Sequence, residues 1–300
     1  MPARVVYTDE VVNTAIARIP VLRKAGAEIR HTVHSAVMKT GPVGRFVADL
    51  LHGTWLGHPL HPVLTDITIG AWFFGSVFDL LAAATGLRRH REAADRLMEI
   101  GAMSAVPTAL AGLTDYSTIK QEAVEHGAAH ALLNSLALTL YLGSIRARHT
   151  RNRTLGLILS GIGLQMMLIS AWLGGELVYK HRIGVRHGQR SGKLDHWTSV
   201  IRADELLESQ PVRVDVDEMP VMLVRRYDQI YAIGATCAHA GGPLEQGKLV
   251  DHCIQCPWHD SVYDLRTGGR VHGPTTYNQP HFRTQVVNGW VQIRAAEIND

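Results

Sequence analysis

Four long stretches of the chain carry almost no charge, and they limit its fold more than any other feature. They are Val63–Leu87, Leu97–Leu113, Ala128–Ile145 and Leu155–Gly175, with lengths of 25, 17, 18 and 21 residues. Together they hold only three of the 57 Asp, Glu, Lys and Arg residues. A helix needs about 20 apolar residues, within a range of about 17–25, to cross the core of a bilayer. The sequence therefore predicts four membrane-spanning helices, and four buried helices of a soluble protein are the alternative.

The rest of the chain has the charge density of an ordinary soluble protein, about 25%. The formal net charge of +3 offers no electrostatic reason to expect a nucleic-acid partner. Residues 1–56 lack the apolar core of a cleavable signal peptide, and their pattern predicts amphipathic helices. These helices would lie either on the membrane surface or as a solvated cap on the bundle. We find no internal repeat beyond the alternation of helices.

After the last apolar stretch the composition changes to that of a small β domain. Residues 180–194 form a basic, Gly-rich linker that includes Lys180, Arg182, Arg186, Arg190 and Lys193. Short β-type runs follow at Val212–Val216, Val221–Val224, Ile230–Ile233, Phe282–Val287 and Trp290–Ile293. The Asn288-Gly289 pair between the last two runs is a hairpin signal. The predicted fold is α+β: a four-helix transmembrane domain at 57–179 and an all-β domain at 195–296.

Two Cys–His pairs in the β domain carry the strongest chemical signal. They are Cys237-Ala238-His239 and, sixteen residues later, Cys256-Pro257-Trp258-His259. Two thiolates and two imidazoles can bind either a tetrahedral zinc ion or a [2Fe–2S] cluster. The spacing favours the cluster, because two similar loops on a β scaffold would each supply one Cys and one His.

These residues resemble the Rieske iron–sulfur family, whose signature is Cys-x-His followed by Cys-x-x-His. The resemblance covers about residues 195–294 and includes Gly273-Pro274, which matches the loop that covers the cluster in that family. It implies that Cys237 and Cys256 hold one iron, and that His239 and His259 hold the other as neutral imidazoles at the exposed exit edge. Such ligation raises the reduction potential above that of an all-Cys cluster.

The resemblance also assigns tuning roles to neighbouring residues. Ser261 and Tyr263 stand where high-potential members place hydroxyl donors to the cluster, which favour its reduced state. Gly242 and Trp258 occupy the positions of those members' disulfide, so that disulfide cannot form. Cys253 is a spare thiol that we interpret as a strand residue rather than a redox group. Asp260 replaces a glycine that is usual in the family. We hypothesise that the reduction potential lies between those of ferredoxin-type and respiratory-type Rieske proteins.

The apolar helices resemble an uncharacterised bacterial family of four-helix membrane proteins. The resemblance covers about residues 51–185 and rests on Gly57-His58-Pro59-Leu60-His61-Pro62 and Gly174-Gly175-Glu176-Leu177-Val178-Tyr179. With four crossings, both ends of the bundle lie on one side. That face would gather the candidate second-site residues His58, His61, His126, His130 and Glu176, with His181, Asp115, Tyr116 and Tyr179 nearby.

This histidine-rich face has three open interpretations: helix capping and structure, a haem or metal site, and a quinone pocket. His126, His130 and Asn134 lie on one helical stripe, a spacing that suits metal or haem ligation. Asp79 lies about 20 Å along its helix from Asp66. Within a bilayer such a charge is costly, so we expect Asp79 to be protonated, paired across the bundle or part of a proton relay.

These observations predict a membrane-anchored Rieske protein that passes single electrons between a soluble donor and a membrane redox partner. The partner would be haem, a quinone or another complex. The rival is a redox-sensing or assembly module in which the cluster regulates a transport or binding bundle. No room remains for the iron-containing catalytic domain of Rieske oxygenases, so we do not expect terminal oxygenase activity. Whether the protein is an oxidoreductase or only an electron carrier stays open.

The basic residues in the loops leave the orientation nearly balanced, with eight against seven on the two sides. Export of a cofactor-loaded β domain would need a twin-arginine type signal, and the loop before the fourth helix has no adjacent arginine pair. We therefore expect a multi-pass protein of the cell membrane with its β domain on the cytoplasmic side.

Overall fold

The structure is a computed structural model that describes residues 8–188 and 194–296. Arg190 and Lys193 of the predicted linker lie outside these residues. The chain forms two compact units that do not follow its linear order. Among the described residues, the helical unit contains 8–39 and 60–183, and the β unit contains 40–59, 184–188 and 194–296. The segment just before the first apolar helix therefore belongs to the β unit.

In the part of the chain that the structure describes, seven α-helices precede the strands. They are α1 (Thr8–Ala17), α2 (Pro20–Lys39), α3 (Gly41–His52), α4 (Leu60–Thr85), α5 (Arg88–Tyr116), α6 (Val124–His149) and α7 (Arg153–Tyr179). Helices α4 to α7 match the four predicted spans, and α6 is extended by one 3₁₀ turn at Gln121–Ala123. All four are long and apolar enough to cross a membrane.

The surfaces of these four helices distinguish a membrane bundle from a soluble core. Leu80 of α4 is 73% exposed and Met103 of α5 is 67% exposed. In the most apolar window of each helix, only 22–39% of the residues are buried. Exposed apolar area of this extent is rare on soluble monomers, so the surface favours lipid contact.

The bundle consists of two similar helix hairpins, α4–α5 and α6–α7. His61 and Trp72 of α4 are matched by His130 and Tyr141 of α6, each 69 residues further on. Trp72 packs where Gly101 of α5 has no side chain, and Tyr141 does the same at Gly163 of α7. The two hairpins therefore share these contacts, although no internal repeat is evident in the sequence beyond the alternation of helices.

The first two helices pack against this bundle. Ile16 of α1 is buried with Ala129 of α6 and Leu173 of α7. Arg30 of α2 donates a hydrogen bond to the Ile119 carbonyl oxygen at 3.0 Å. Of the two sites considered for the N-terminal helices, this packing favours the cap on the bundle for α1 and α2, whereas α3 belongs to the β unit.

The β unit contains two antiparallel sheets. Their strands are β1 (Thr198–Arg202), β2 (Val212–Val216), β3 (Met219–Arg226), β4 (Gln229–Gly234), β5 (Lys248–Val250), β6 (Cys253–Gln255), β7 (Val262–Asp264), β8 (Arg270–His272), β9 (His281–Val287) and β10 (Trp290–Ala295). The larger sheet has the order β1-β10-β9-β4-β3-β2, and the smaller has the order β5-β6-β7-β8.

Five of the six strands of the larger sheet match the predicted β runs, whereas β1 was not predicted. Its last two strands pair through Trp290 and Val287, and Asn288 and Gly289 both have positive φ angles, 52° and 76°. Two such residues are typical of the tight hairpin turn that the sequence predicted. The smaller sheet, with strands of three residues each, holds one of the two loops of the candidate site.

Candidate metal centre

Two loops with the same hydrogen-bonding pattern carry the two Cys–His pairs. One follows β4, and the other connects β6 to β7. The Cys237 amide donates to the Gly242 carbonyl oxygen, and the Cys256 amide donates to that of Ser261, both at 2.8 Å. The amides of Gly241 and Asp260 close each loop onto the cysteine four residues earlier. The chain thus presents both pairs in equivalent settings.

The second of these loops explains how an aspartate replaces a glycine. Gly241 and Asp260 occupy equivalent positions, and their φ angles are 86° and 63°. The left-handed region is unfavourable for most side chains, although Asp tolerates it better than most. The Asp260 carboxylate accepts a hydrogen bond from Gln255 Nε2. The loop therefore keeps the conformation that glycine has in the other loop.

The four candidate ligands differ in how deeply they are buried. Cys237 and Cys256 are buried, whereas His239 and His259 are partly exposed. The two imidazole rings lie with centroids 5.1 Å apart and planes at 86°. The site therefore has a sulfur end within the domain and a nitrogen end at its surface.

The donor set fits a two-iron cluster better than a single zinc ion. Among residues 8–188 and 194–296, no three His, Cys, Asp or Glu side chains converge as ligands of one metal ion. A tetrahedral zinc site needs four donors around one point. A Rieske cluster instead takes one pair of ligands at each iron, and this arrangement offers two cysteines and two histidines in separate pairs.

The two cysteine thiols influence each other's ionisation. Hydrogen bonding with Cys256, which outweighs burial, lowers the pKa of Cys237 to about 7. The same bond, followed by burial, raises the pKa of Cys256. Because thiolates are the metal-binding form of cysteine, these opposite shifts make Cys237 the first thiol of the pair to ionise.

Tyr263 lies against the sulfur end, and Ser261 is the last residue of the second loop, where its carbonyl oxygen accepts the Cys256 amide. The Tyr263 hydroxyl is 3.2 Å from Cys237 Sγ. Burial raises the pKa of Tyr263 well above its usual value, so its phenol stays protonated and can donate. Ser261 is buried, and its Oγ accepts a hydrogen bond from the Thr275 amide at 3.3 Å. The Ser261 proton remains available for donation to another acceptor.

Gly242 packs so closely on the site that a side chain does not fit. A Cβ atom there would lie 2.9 Å from Cys256 Sγ and 3.1 Å from the Trp258 ring. This packing agrees with the sequence argument that no disulfide links the two loops. Cys253 lies apart on β6 and is partly buried. Burial raises its pKa, which agrees with a structural rather than reactive thiol.

The sequence analysis missed a clamp on the loop after β8. Asp49 of α3 accepts hydrogen bonds from His272 Nδ1 at 2.8 Å and from the Gly273 amide at 2.7 Å. Thr54 donates to the Thr275 carbonyl oxygen, and Arg270 donates to that of Thr54. Thr275 is the residue whose amide reaches Ser261. The available signal was Asp49 itself, the one carboxylate in the amphipathic helix α3.

The candidate second-site residues divide into separate groups. His61 and His130 lie with ring centroids 6.3 Å apart. Their Nδ1 atoms lie 2.9 and 2.8 Å from the carbonyl oxygens of Thr108 and Ser170. Asn134 Nδ2 is 3.0 Å from His130 Nε2. The structure therefore brings together one imidazole from each hairpin, within the helical unit.

The remaining candidates make other contacts. His126 Nε2 lies 2.8 Å from Asn13 Oδ1 of α1, and its ring is 4.7 Å from that of His181. Glu176 lies 3.5 Å from Lys180 Nζ. His58 belongs to the β unit, where its Nδ1 is 2.9 Å from the Pro59 carbonyl oxygen. The five residues thus do not form one cluster in the described parts of the chain.

Asp79 is paired across the bundle, one of the outcomes the sequence left open. Arg148 of α6 contacts both of its carboxylate oxygens, and Arg153 contacts Oδ1 at 2.9 Å. Both arginines also bind Asp95. The depth of Asp79 in the bundle differs from the sequence prediction. Helix α4 ends only six residues beyond Asp79, which is about 9 Å along the helix axis. The charge therefore lies near one end of its helix rather than deep in the bilayer.

Two family models match the chain, one for each region. Residues 57–187 match the family described as "Predicted membrane protein (DUF2231)". Residues 196–283 match the "Rieske [2Fe-2S] domain". The two matches confirm the predicted fusion and its fold class.

Among curated relatives, the anthranilate 1,2-dioxygenase ferredoxin subunit of Burkholderia cepacia is 28% identical over 100 residues, which are 33% of this chain and 93% of the relative. Ferredoxin CarAc of Metapseudomonas resinovorans is 31% identical over 98 residues, or 32% and 92% of the two chains. A solved ferredoxin of carbazole 1,9a-dioxygenase from Nocardioides aromaticivorans IC177 is 29% identical, with a TM-score of 0.33. It is matched over its whole length by 34% of this chain.

These similarities confirm the [2Fe–2S] cofactor, the general electron-transfer role and the location in a membrane. The β unit spans nearly the full length of small ferredoxins, while the helices match a family of membrane proteins. The chain thus belongs to the Rieske [2Fe–2S] family through residues 196–283, joined in one polypeptide to a DUF2231 membrane domain.

Proposed function

We propose that this protein is a membrane-anchored carrier that passes single electrons between a soluble donor and a redox partner at the membrane. Cys237 and Cys256 would bind one iron, and His239 and His259 would bind the other. When bound, the cluster supplies a one-electron redox centre. The observation that carries the proposal is the depth order of the ligands, with buried cysteines and partly exposed histidines. Electrons would enter and leave through the histidine edge.

The surrounding residues would hold and tune this centre. Tyr263 would donate its hydroxyl proton to Cys237 Sγ, and Ser261 would donate from the loop side. Both bonds stabilise the more negative, reduced state. Trp258 is more than half exposed, and its ring centroid lies 6.5 Å from that of His259. This tryptophan would provide the contact surface for redox proteins beside the exit edge.

One of the relatives, from Burkholderia cepacia, is named as the ferredoxin subunit of anthranilate 1,2-dioxygenase. This name supports a carrier role for the β unit, with the substrate chemistry in a separate protein. We place the β unit on the cytoplasmic side, where reduced soluble donors are available. Arg148 is one of the eight basic residues on the side opposite the β unit, between the third and fourth apolar stretches. It is buried in the bundle, so it is a weak indicator of the opposite orientation.

A reconstituted system tests the carrier role. The full chain in liposomes is mixed with NADH and a flavin-containing ferredoxin reductase, and cluster absorbance is followed by stopped flow. We expect bleaching, then recovery when either decylubiquinone in the bilayer or soluble cytochrome c is added. Trp258→Ala should slow reduction several-fold with the cluster intact. The matched control Trp290→Ala, another surface tryptophan, should not.

The rival role as a redox sensor gives a different result. In that case the cluster changes redox state without sustained turnover, and hydrogen exchange in residues 60–179 differs between the oxidised and reduced protein. Failure of both acceptors to restore the colour would overturn the carrier proposal. The matched positions of His61 and His130 make them our candidate for a polar site in the bundle under either role.

A further inference from the structure

Helix α3 presents an apolar face that nothing in the described structure covers. Val43 is 72% exposed, Phe46 is 69% exposed and Trp55, just after the helix, is 62% exposed. Val47 and Leu50 are also exposed. Positions 43, 46, 47 and 50 recur with the period of a helix and therefore form one stripe. These five residues, termed the α3 apolar face, are more exposed than a soluble surface helix would allow.

The opposite side of α3 is attached to the β unit, so the helix cannot turn its apolar face inward. Ala48 and His52 are buried, and Asp49 accepts the hydrogen bonds from His272 and Gly273. Thr54 is also buried and donates to the Thr275 carbonyl oxygen. The orientation of the α3 apolar face is therefore determined by the polar clamp beneath it.

The position of α3 in the chain indicates what covers this face. Only seven residues separate His52 from Leu60, where the first membrane-spanning helix begins. Twelve residues give a helix of about 18 Å, too short to cross a bilayer. An amphipathic helix with tryptophan and phenylalanine on one face is suited to lie in the plane of the membrane interface. Arg45 of α3 adds positive charge suited to anionic headgroups.

We propose that the α3 apolar face inserts into the interface of the same bilayer that α4 crosses. The helix would then be a lipid-binding element that orients the β unit through the Asp49 clamp. Since that clamp holds the loop that reaches Ser261, the candidate metal centre would keep a defined direction relative to the membrane. This lipid contact does not depend on whether the centre transfers electrons.

Spin-label accessibility tests the proposal in the full chain. Labels are attached to Phe46→Cys and, as a matched control, to Leu207→Cys, an exposed leucine of the same unit that is 55% exposed. Both variants carry Cys253→Ser, and the cluster is kept oxidised so that its magnetism does not interfere. The protein is reconstituted into liposomes that contain anionic lipid. Collisions with oxygen and with a water-soluble nickel chelate are then measured.

We expect the label at position 46 to collide with oxygen more often than the label at 207, and with nickel several-fold less often. Nickel access equal to that at 207 would overturn the proposal by placing the face in water. Protection from both reagents would also overturn it, because a second copy or another protein surface would then cover the face.

A second variant tests whether the α3 apolar face orients the β unit relative to the membrane. Phe46→Glu should fold normally, because this side chain is mostly exposed, and its cluster spectrum should be unchanged. In oriented membrane multilayers, however, the angular dependence of the cluster's paramagnetic resonance signal should be lost. An unchanged angular dependence would overturn the orienting role. Both readouts remain informative if the electron-transfer assay fails.

Discussion

The two units of the protein place their polar groups in opposite ways. In the β unit, each Cys–His pair comes from one short loop, and hydroxyl groups from adjacent strands and loops complete the site. In the helical unit, polar partners come from different hairpins, as with Asp79 and Arg148 or His61 and His130. A candidate site formed by short loops can be predicted from the spacing of its residues in the sequence. Pairs of residues across a helical bundle cannot, because they depend on how the helices pack.

The comparison also separates two kinds of stability. In the metal centre, the candidate ligands are held together by the cofactor that they would bind in common. The ion pairs of the bundle depend on mutual neutralisation, since an unpaired charge away from water is costly. Removal of one residue should therefore abolish the cofactor in the β unit but only weaken the fold of the helical unit.

The largest expected effect is loss of the cluster from Cys237→Ser. This change replaces a thiolate with a hydroxyl that remains protonated at neutral pH, so we expect iron binding and the paramagnetic resonance signal to fall to background. The helical content of the purified protein should remain. Cys253→Ser is the control and should keep full iron content, because that thiol lies apart on β6. Cluster retention in Cys237→Ser would refute this ligand assignment.

A smaller but substantial effect is expected from Asp79→Leu. This change leaves Arg148 in the bundle with one of its two carboxylate partners, and breaking a buried pair typically costs about 3–5 kcal/mol. Retention of Asp95 should place the loss at the lower end of that range. Thermal unfolding in detergent, followed by circular dichroism, measures it.

The control for the bundle is Glu92→Gln, which removes the exposed pair between Arg88 and Glu92. Exposed helix pairs contribute only about 0.3–0.5 kcal/mol, so little change is expected. In both variants the cluster signal should persist at low temperature. Equal stability of Asp79→Leu and the natural protein would contradict a structural role for the ion network, and would also weaken the proton-relay hypothesis if activity were retained.

The smallest effect is a shift in reduction potential from Ser261→Ala. Loss of one hydrogen bond of about 1.4 kcal/mol to the reduced state corresponds to about 59 mV for a one-electron couple. We therefore expect the midpoint potential to fall by some tens of millivolts, as measured by voltammetry. Ser199→Ala, on strand β1, is the control and should leave the potential unchanged. A Ser261→Ala potential equal to that of the natural protein would remove the tuning argument.

Much of the β unit could be predicted because its signals are local. The runs at 212–216 and 282–293 correspond to strands, and the Asn288-Gly289 pair forms the predicted turn. The short strands of the smaller sheet were not predicted. Each has three residues, too few for an alternating pattern. The loops that they support were found only because Cys and His are rare and their spacing is specific.

The bundle was predictable in outline but not in detail. Charge-poor stretches predicted four spans, since desolvation of charge is expensive in any apolar surrounding. Residues 69 positions apart occupy corresponding places in the two hairpins, but the sequence alone does not show this. His61 and His130 are identical, whereas Trp72 corresponds to Tyr141 and Asp79 to Arg148. The histidines at one end of the bundle likewise separated into different contacts once the helices packed.

The sequence by itself determined which residues avoid charge and which can bind iron, because hydrophobicity and ligand chemistry belong to the side chains themselves. Only the tertiary structure decided that Asp79 meets Arg148, that residues 40–59 join the β unit, and that Asp49 holds the loop next to Ser261. These contacts depend on distances between residues up to 224 positions apart. Such distances are set by the packing of whole elements rather than by the preferences of individual residues.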